Sequence, residues 1–400
     1  MTSQVAVSNC YGVAVASDTV SSRDTRGGTK TVGHTNKIYE IGPGHKVLVL
    51  HAGCTVTNEV PTKLYVVEWA KTLESPLPTL QDYISNFLDW MRGPNSLHSS
   101  ESEKDFFIEL LRMHFRAIYN MVRSRLGDYE RENPNADITE AIRKEALRTS
   151  LSDAVAELQS QEMLEGLELA NAKQSLDGVM DEYKKAIDYW IGEFGVDDSF
   201  SDLLLQSTLE AIVRADGLSD NDSYLSFVGF GSDEIFPSNQ QIACRGFSDS
   251  GLYFRRYDVQ SITPGSNASG IAFFAQRDAI QSFLQGYHSA TLSEMENAFR
   301  FHVGETVKDA VSEEQTNQII EKSLSQVRDY AYNRFVEPLW HEIEGMTNIR
   351  LCDFAEALVG LQATAANSQD GPATVGGFIE VAMIDRQHGI TWVKSLTTHI

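Results

Sequence analysis

Four residues near the start of the chain have the types needed to attack a carbonyl group. The hydroxyl of Thr2 is a weak nucleophile that needs a base, and removal of Met1 would leave an α-amine with a reference pKa of about 7.7–8.0 to act as one. An ammonium at Lys37 would favour the neutral, proton-accepting amine, and Asp18 would keep that ammonium charged and oriented. The backbone N–H of Gly53 could stabilise a tetrahedral oxyanion. This combination predicts nucleophilic attack on a carbonyl group through a tetrahedral oxyanion.

A hairpin predicted at the start of the chain would bring two of these residues together. Apolar positions alternate on both sides of a turn at residues 8–12, so one strand should precede the turn and another should follow it. Thr2 lies eight residues before Cys10 and Asp18 lies eight residues after it, so antiparallel pairing places them side by side, within a slip of one or two residues. Lys37 starts the next predicted strand and Gly53 ends the one after it, which allows both to join the same site.

Each of these residues also has a purely structural interpretation. Thr2 could be an ordinary strand residue, and Lys37 and Asp18 could form a structural ion pair. Gly53 could be needed only because another backbone approaches it closely. The residue types and their spacing leave both interpretations open.

The rest of the chain alternates between strand and helix patterns. Strand patterns occupy residues 4–55, 224–257 and 377–393, with helical patterns between them. Strands joined as hairpins imply antiparallel sheets, so we expect a layered α+β fold. We divide the chain into a first core segment (1–95), a helical acidic insertion (96–220) and a second core segment (221–400). The last of these includes a helical extension at about 280–345.

One predicted helix, over residues 102–126, has a start signal and a histidine that needs an interpretation. Ser102 and Asp105 match the spacing of a capping box, which predicts that the helix begins there. His114 falls on the apolar face of that helix. This position favours a packed core histidine over a ligand.

The charge balance of the 400-residue chain limits its partners. The formal net charge is -23, which argues against nucleic acid and anionic membranes, because both require clustered Lys and Arg. Residues 151–220 hold 16 acidic and 4 basic side chains, so about half of the excess charge lies in the predicted insertion. That stretch is either a solvated helix face or a docking face for a basic partner.

Cysteine usage and missing motifs further narrow the class of protein to which this chain can belong. The chain has 4 cysteines, widely spaced and without a CxxC pair, which is typical of reduced thiols in a cytoplasmic protein. It has neither a signal-peptide pattern nor 18 consecutive apolar residues. Residues 27–31 fail the phosphate-loop spacing, residues 246–250 lack the second glycine of a nucleophile elbow, and no compact Cys/His set is present. We therefore expect neither a cofactor nor a metal ion.

The ordered set of motifs resembles the proteasome β-subunit and HslV family of N-terminal nucleophile (Ntn) hydrolases, which also includes Anbu. The matching stretches cover roughly half of the chain and follow the family's order. They are Thr2…Gly12-Val-Ala-Val-Ala-Ser-Asp18, Asn36-Lys37-Ile-Tyr-Glu-Ile, Leu50-His-Ala-Gly53-Cys-Thr, Ser269-Gly270-Ile-Ala and Gly376-Gly377-Phe-Ile-Glu-Val-Ala-Met-Ile.

The resemblance implies a four-layer αββα sandwich and assigns roles to individual residues. By position, Thr2 matches the nucleophile, Asp18 the acidic orienter, Lys37 the lysine that lowers the amine pKa and Gly53 the oxyanion donor. The resemblance also implies two further site residues. These are Ser269, as a supporting serine near the N-terminal amine, and Asp370, as the family's second aspartate. The last motif departs from the family pattern, because Val375 stands where a serine is expected and Asp370 lies two residues too early.

The resemblance implies a threonine peptidase that acts on a peptide or protein through an acyl-Thr2 intermediate and forms homo-oligomers. Transfer of the acyl group to an amine, which would make the protein a ligase, uses the same residues and stays open. A non-catalytic scaffold that docks a partner through the acidic insertion is the alternative from another class. The helical additions could block ring assembly, cap a chamber or form a substrate-selecting lid. An ATPase partner can be neither inferred nor excluded.

Overall fold

The chain combines helices with several antiparallel sheets, as the predicted α+β class requires. The computed structural model describes residues 2–25, 28–93, 97–214, 222–307, 312–368 and 375–396. The strands are β1 (Gln4–Asn9), β2 (Gly12–Asp18), β3 (Val20–Thr25), β4 (Gly28–His34), β5 (Ile38–Glu40), β6 (Lys46–Gly53), β7 (Val56–Thr57), β8 (Val60–Pro61), β9 (Ser223–Phe230), β10 (Ser238–Ser248), β11 (Gly251–Arg256), β12 (Gln260–Ser261), β13 (Ser269–Phe273), β14 (Ile379–Asp385) and β15 (Gly389–Lys394).

The helices fill the segments between these strands. Short 3₁₀ turns at Gly192–Phe194 and Asp198–Phe200 precede α7, and a π-helical segment (Tyr332–Val336) joins α10 to α11. The α-helices are α1 (Thr62–Ala70), α2 (Leu80–Arg92), α3 (Ser100–Glu132), α4 (Glu140–Gln159), α5 (Leu169–Asp177), α6 (Met180–Trp190), α7 (Ser201–Arg214), α8 (Asp278–Gln285), α9 (Ser289–Val307), α10 (Glu313–Ala331), α11 (Glu337–Glu344) and α12 (Asn348–Asn367). In the described part of the chain, no helix has both the length and the apolarity that a bilayer crossing needs.

Two large sheets face each other across an apolar core. The first sheet has the strand order β13-β1-β2-β14-β15, and the second has the order β11-β10-β9-β6-β5 with β12 paired to β10. Alternate residues of each strand point into the space between the sheets, where Ala6 and Val15 of the first sheet meet Leu48 and Val228 of the second. Burial of this shared face fixes which side of each strand is apolar.

Helices cover the opposite face of each sheet. Val5, Val7 and the other outward-facing residues of the first sheet pack against α8, α11 and α12. On the second sheet, Trp69 of α1 and Phe87 of α2 lie over Phe227, with ring centroids 5.1–6.0 Å apart. The sheets are therefore buried on both faces over much of their area.

Helices α3 to α7 form a bundle with an apolar core of its own, which Tyr253 of β11 joins from the second sheet. The bundle falls within the predicted helical insertion (96–220). The boundaries at 95–96 and 220–221 lie outside the described residues, and the division into units stays a prediction. The capping-box prediction was wrong by three residues: α3 starts at Ser100, with Ser99 as its N-cap and Ser102 as its box partner.

The predicted extension at about 280–345 is also helical. Helices α9 and α10 lie side by side, and the π-helical segment leads into α11 with Pro338 in its first turn. A proline is tolerated there because the first N–H groups of a helix have no intrahelical partner. Large apolar side chains remain exposed in this region, among them Phe301 and Tyr330, each 67% exposed.

His114 makes the stability of the α3–α7 bundle depend on pH. It is buried in the bundle, with Nε2 3.2 Å from Ser207 Oγ, as the core interpretation predicts. Burial lowers its pKa from 6.5 to about 4. As the pH falls through 6.5 the unfolded chain takes up a proton that the folded chain does not bind until about pH 4, so stability is lost across that window.

We expect the free energy of unfolding to fall by about 2 kcal/mol between pH 7 and 5 because of this one group. Urea denaturation at the two pH values measures the loss, and His114→Gln should remove that part of it. The exposed His341, which has no such burial, provides the control as His341→Gln. An unchanged pH dependence in His114→Gln would contradict the assignment.

Candidate active site

The opening hairpin is present, but its register differs by one residue from the prediction. The turn consists of Cys10 and Tyr11 together, so the pairing is centred between them rather than on Cys10. Asp18 therefore lies opposite Ser3, and its backbone N–H donates to the Ser3 carbonyl at 3.1 Å. The shift is within the slip that the prediction allowed, and Thr2 is the residue just before this pair.

The Asp18 carboxylate is fully buried and has three hydrogen-bond donors. The backbone N–H of Ser3 donates to Oδ1 at 2.9 Å, and that of Gly376 donates to Oδ2 at 3.1 Å. The ammonium of Lys37 donates to Oδ1 at 2.9 Å in an ion pair whose side chains are 0% and 6% exposed. Burial lowers the pKa of Lys37, while the adjacent Asp18 charge opposes that shift. Asp18 and Lys37 meet as the sequence predicted.

Gln4, which the sequence reasoning did not select, ties this ion pair to both sheets. Its side-chain amide donates to the carbonyl oxygens of Lys37 and His51, at 3.5 and 3.1 Å, and to Ser17 Oγ at 3.2 Å. The backbone N–H of His51 also donates to the Lys37 carbonyl, at 2.9 Å. The Lys37 main chain is therefore held from β1 and from β6. The only sign of Gln4 in the sequence was that a polar residue occupies a strand position that faces inward.

Glu380 is a second carboxylate beside Lys37, and it too was not selected. It lies on β14 opposite Ser17, is fully buried, and accepts a hydrogen bond from the Leu396 N–H at 3.2 Å. Burial raises its pKa, and the backbone N–H and ammonium of Lys37 oppose that shift. The signal for it was an acidic residue at an inward-facing position of the apolar stretch 379–384. Among the described residues, Lys37 therefore lies near two buried carboxylates, those of Asp18 and Glu380.

Gly53 ends β6 at a point where only glycine fits. Its φ is +80°, and a Cβ there would lie 2.2 Å from the carbonyl oxygen of Asp222. The N–H groups along β6 alternate in direction: that of Cys54 donates to Asp222 in the segment leading into β9, and that of His51 donates to Lys37 on the β5 side. Gly53 lies two residues after His51, so its N–H points in the same direction as that of His51, toward Lys37 and β5.

Thr2 and Gly53 line one cleft of about 700 Å³ between the two sheets. Thr2 is 9% exposed, and its carbonyl accepts a hydrogen bond from the Gln276 N–H at 2.9 Å. Tyr224 and Tyr257 form part of the opposite wall. The cleft gives a ligand access to the residue that carries the proposed nucleophile. Gln276 is a third neighbour of the site that sequence reasoning did not select.

The placement of Ser269 near the N-terminal amine, which the resemblance implied, was wrong. Ser269 pairs with Asn9 at the far end of β1, about 20 Å from Thr2 at the usual rise per strand residue, and its hydroxyl donates to the Trp340 carbonyl at 2.9 Å. Because β13 runs antiparallel to β1, its last residues and not its first approach Thr2. Met1 and Asp370 lie outside the described residues. Within the described ranges, no three His, Cys, Asp or Glu side chains could hold a metal ion.

Because the ion pair is buried, we expect removal of Asp18 alone to lower the free energy of unfolding much more than removal of both partners. Asp18→Ala leaves the Lys37 ammonium buried without its partner, so the free energy of unfolding should fall by about 3–5 kcal/mol. Adding Lys37→Met removes the unpaired charge and should recover most of that loss, measured by urea denaturation. Glu68→Ala, which breaks the exposed pair with Lys71, should cost less than about 1 kcal/mol. Equal losses in the single and double variants would contradict this account.

Comparison with known proteins assigns no family to the chain. No protein-family model matches it, and its sequence has no significant match among curated proteins. An assignment of function therefore has to rest on the site itself, that is, on Thr2, the buried Asp18–Lys37 pair and the cleft that Thr2 shares with Gly53.

Proposed function

We propose that the protein is an N-terminal-threonine hydrolase that cleaves an amide bond in a peptide or protein. The observation that carries this proposal is the buried Asp18–Lys37 ion pair, held one residue along the hairpin from Thr2. We further propose that the fold is the four-layer αββα sandwich of the Ntn hydrolases. Two facing sheets with helices on their outer sides support that proposal.

The first half of the reaction follows from the chemistry of a free threonine. Cleavage that makes Thr2 the first residue frees its α-amine, which takes the proton from Oγ as Oγ attacks the substrate carbonyl. The Lys37 charge keeps that amine neutral beforehand by making a second positive charge nearby unfavourable. The oxyanion that forms accepts a hydrogen bond from the Gly53 N–H.

The second half releases both products and restores the site. The tetrahedral intermediate collapses, the C–N bond breaks, and the leaving amine takes the proton held by the α-amine. This leaves an ester between the acyl group and Thr2 Oγ. Water then attacks the ester, the α-amine accepts a proton from that water, and Thr2 Oγ recovers a proton as the acid departs. An amine in place of water would give the ligase outcome by the same steps.

Asp18 has a supporting part in this scheme. It keeps Lys37 protonated in a buried position where desolvation alone would favour the neutral lysine. Its other two donors, from Ser3 and Gly376, keep the carboxylate aimed at the ammonium. Without Asp18, both the charge and the direction of the Lys37 side chain would change.

The first test is whether Thr2 becomes the N-terminus and reacts. Intact mass spectrometry of the purified full chain should show loss of Met1, and incubation with a β-lactone should add one inhibitor per chain at Thr2. Thr2→Ala should not be labelled. Retention of Met1 together with absence of labelling would overturn the hydrolase proposal and favour the scaffold alternative.

Lys37 provides a second test. Lys37→Met keeps most of the side-chain volume but removes the charge, so a larger fraction of the Thr2 amine should be protonated and the β-lactone should label at least about 100-fold more slowly. Lys71→Met, at an exposed lysine, is the control and should react like the unmodified protein. Labelling of Lys37→Met at the unmodified rate would show that the lysine has no role in activation.

A further inference from the structure

A cavity of about 390 Å³ lies on the outer face of the first sheet, where β13 packs against helices. Ile271 and Phe273 of β13 form one wall, and both side chains belong to the layer between the sheet and its covering helices. The cavity shares these two residues with the Thr2 cleft, but neither Thr2 nor Gly53 lines it. It is therefore a second compartment, and its volume lies within the size range of small-molecule sites.

Two of the helices around the cavity are anchored to the rest of the fold by hydrogen bonds. On α11, the Trp340 carbonyl accepts a hydrogen bond from Ser269 Oγ of β13 at 2.9 Å. Near the start of α8, the Ala279 N–H donates to Gln362 Oε1 of α12 at 3.0 Å. The position of these two walls therefore does not depend on a ligand.

The π-helical segment forms a third wall. Its first and last residues, Tyr332 and Val336, both line the cavity. The end of α8 packs closely on this segment: Gly286 has a φ of +74°, and a Cβ there would lie 2.6 Å from the ring of Phe335. Turns of π-helix are rare and occur frequently at functional sites. The irregular segment thus shapes the cavity.

The lining of the cavity is mostly apolar and contains several aromatic rings. Leu284 and Leu339 contribute aliphatic side chains. Four aromatic residues also line it: Phe273, Tyr287, Tyr332 and Trp340. The face of an aromatic ring carries partial negative charge and attracts cations. This lining can therefore hold both an apolar body and a positive charge.

Two charged side chains also line the cavity, and their surroundings differ. The Arg328 guanidinium pairs with Glu321, with Nη1 3.0 Å from Oε1. Within the described ranges, the neighbouring Asp329 carboxylate has neither an ion-pair partner nor a hydrogen-bond donor. The uncompensated charge beside the cavity is therefore negative, as is the net charge of the whole chain, -23.

We propose that this cavity binds a small organic cation, an amine with an aromatic body. The ammonium pairs with Asp329 and lies near the aromatic rings, while the body packs against Ile271 and Phe273. A carboxylate of the same shape meets the uncompensated Asp329 charge and finds Arg328 already paired, so it is disfavoured. The inference concerns a site outside the proposed catalytic centre and does not depend on the proposed function.

Three probes of similar shape separate the effect of charge from that of apolar packing. Tryptamine is the cation, tryptophol is the neutral alcohol and indole-3-acetate is the anion. Each is titrated against the full chain near neutral pH by ligand-observed NMR, which gives dissociation constants for weak ligands. Tryptamine should bind at least about tenfold more tightly than tryptophol, and indole-3-acetate should bind no more tightly than tryptophol.

A pair of protein variants tests the partner of the ammonium. Asp329→Asn removes the charge of the carboxylate and keeps its shape, so it should weaken tryptamine binding about tenfold and leave tryptophol binding within about threefold. Glu337→Gln is the matched control, because Glu337 is an exposed carboxylate on α11 that does not line the cavity. It should leave both dissociation constants within about twofold.

A second pair of variants tests whether the ligand occupies the cavity. Gln285 is the last residue of α8 and lies half-buried in the cavity wall, so Gln285→Trp places an indole ring in space that the ligand needs. Tryptamine binding should weaken at least about tenfold. Phe283→Trp enlarges an exposed ring on the same helix outside the lining and should leave binding unchanged.

The outcomes separate this inference from the proposed function. Selective binding of tryptamine that Asp329→Asn and Gln285→Trp both weaken supports the cation site, whether or not a β-lactone labels Thr2. Absence of tryptamine binding, equal binding of the three probes, or tryptamine binding that Asp329→Asn does not change overturns it. If Gln285→Trp does not fold, Asp329→Asn decides. Labelling of Thr2 would leave the hydrolase proposal standing in every case.

Discussion

The ion pair between Asp18 and Lys37 is the interaction on which the arrangement of the site depends. Removing a carboxylate and an ammonium from water costs several kcal/mol each, and a buried pair is tolerated only when its remaining hydrogen-bonding groups are satisfied. Ser3 and Gly376 supply the additional donors. The start of the chain, the segment before β5 and the segment before β14 must therefore meet at one point.

The space between the sheets becomes polar near the Asp18–Lys37 ion pair. Its centre is apolar, but Gln4, Ser17 and Glu380 form a polar row across β1, β2 and β14 at the Thr2 end. Gln4 bonds to main-chain carbonyls of Lys37 and His51, so the row also joins the two sheets. Buried polar groups that are hydrogen-bonded in this way favour one arrangement of neighbouring strands over others. Ser3, which precedes β1, is bonded to Asp18 through both its backbone N–H and its carbonyl.

The helices are arranged so that the site stays accessible. They cover the outer faces of both sheets, and the cleft that Thr2 and Gly53 line lies between the sheets. The α3–α7 bundle has its own apolar core and joins the second sheet through Tyr253, so it can be accommodated without displacing the strands around Thr2. The α9–α11 region, in contrast, leaves large apolar side chains exposed, among them Phe301 and Tyr330.

Local patterns in the sequence determined the hairpins and the order of the strand and helix blocks. They also allowed us to predict that four residues could lie close together: Thr2, Asp18, Lys37 and Gly53. Period-two and helical patterns report how each segment buries one face, which is a local property. Only the tertiary structure decided the register, since a two-residue turn moved Asp18 opposite Ser3. It also decided which polar residues join the site. Gln4 and Glu380 each lie beside apolar positions of β1 and β14, and no sequence pattern links either of them to Lys37. Ser269 shows the same limit, because a short motif does not specify which end of an antiparallel strand approaches Thr2.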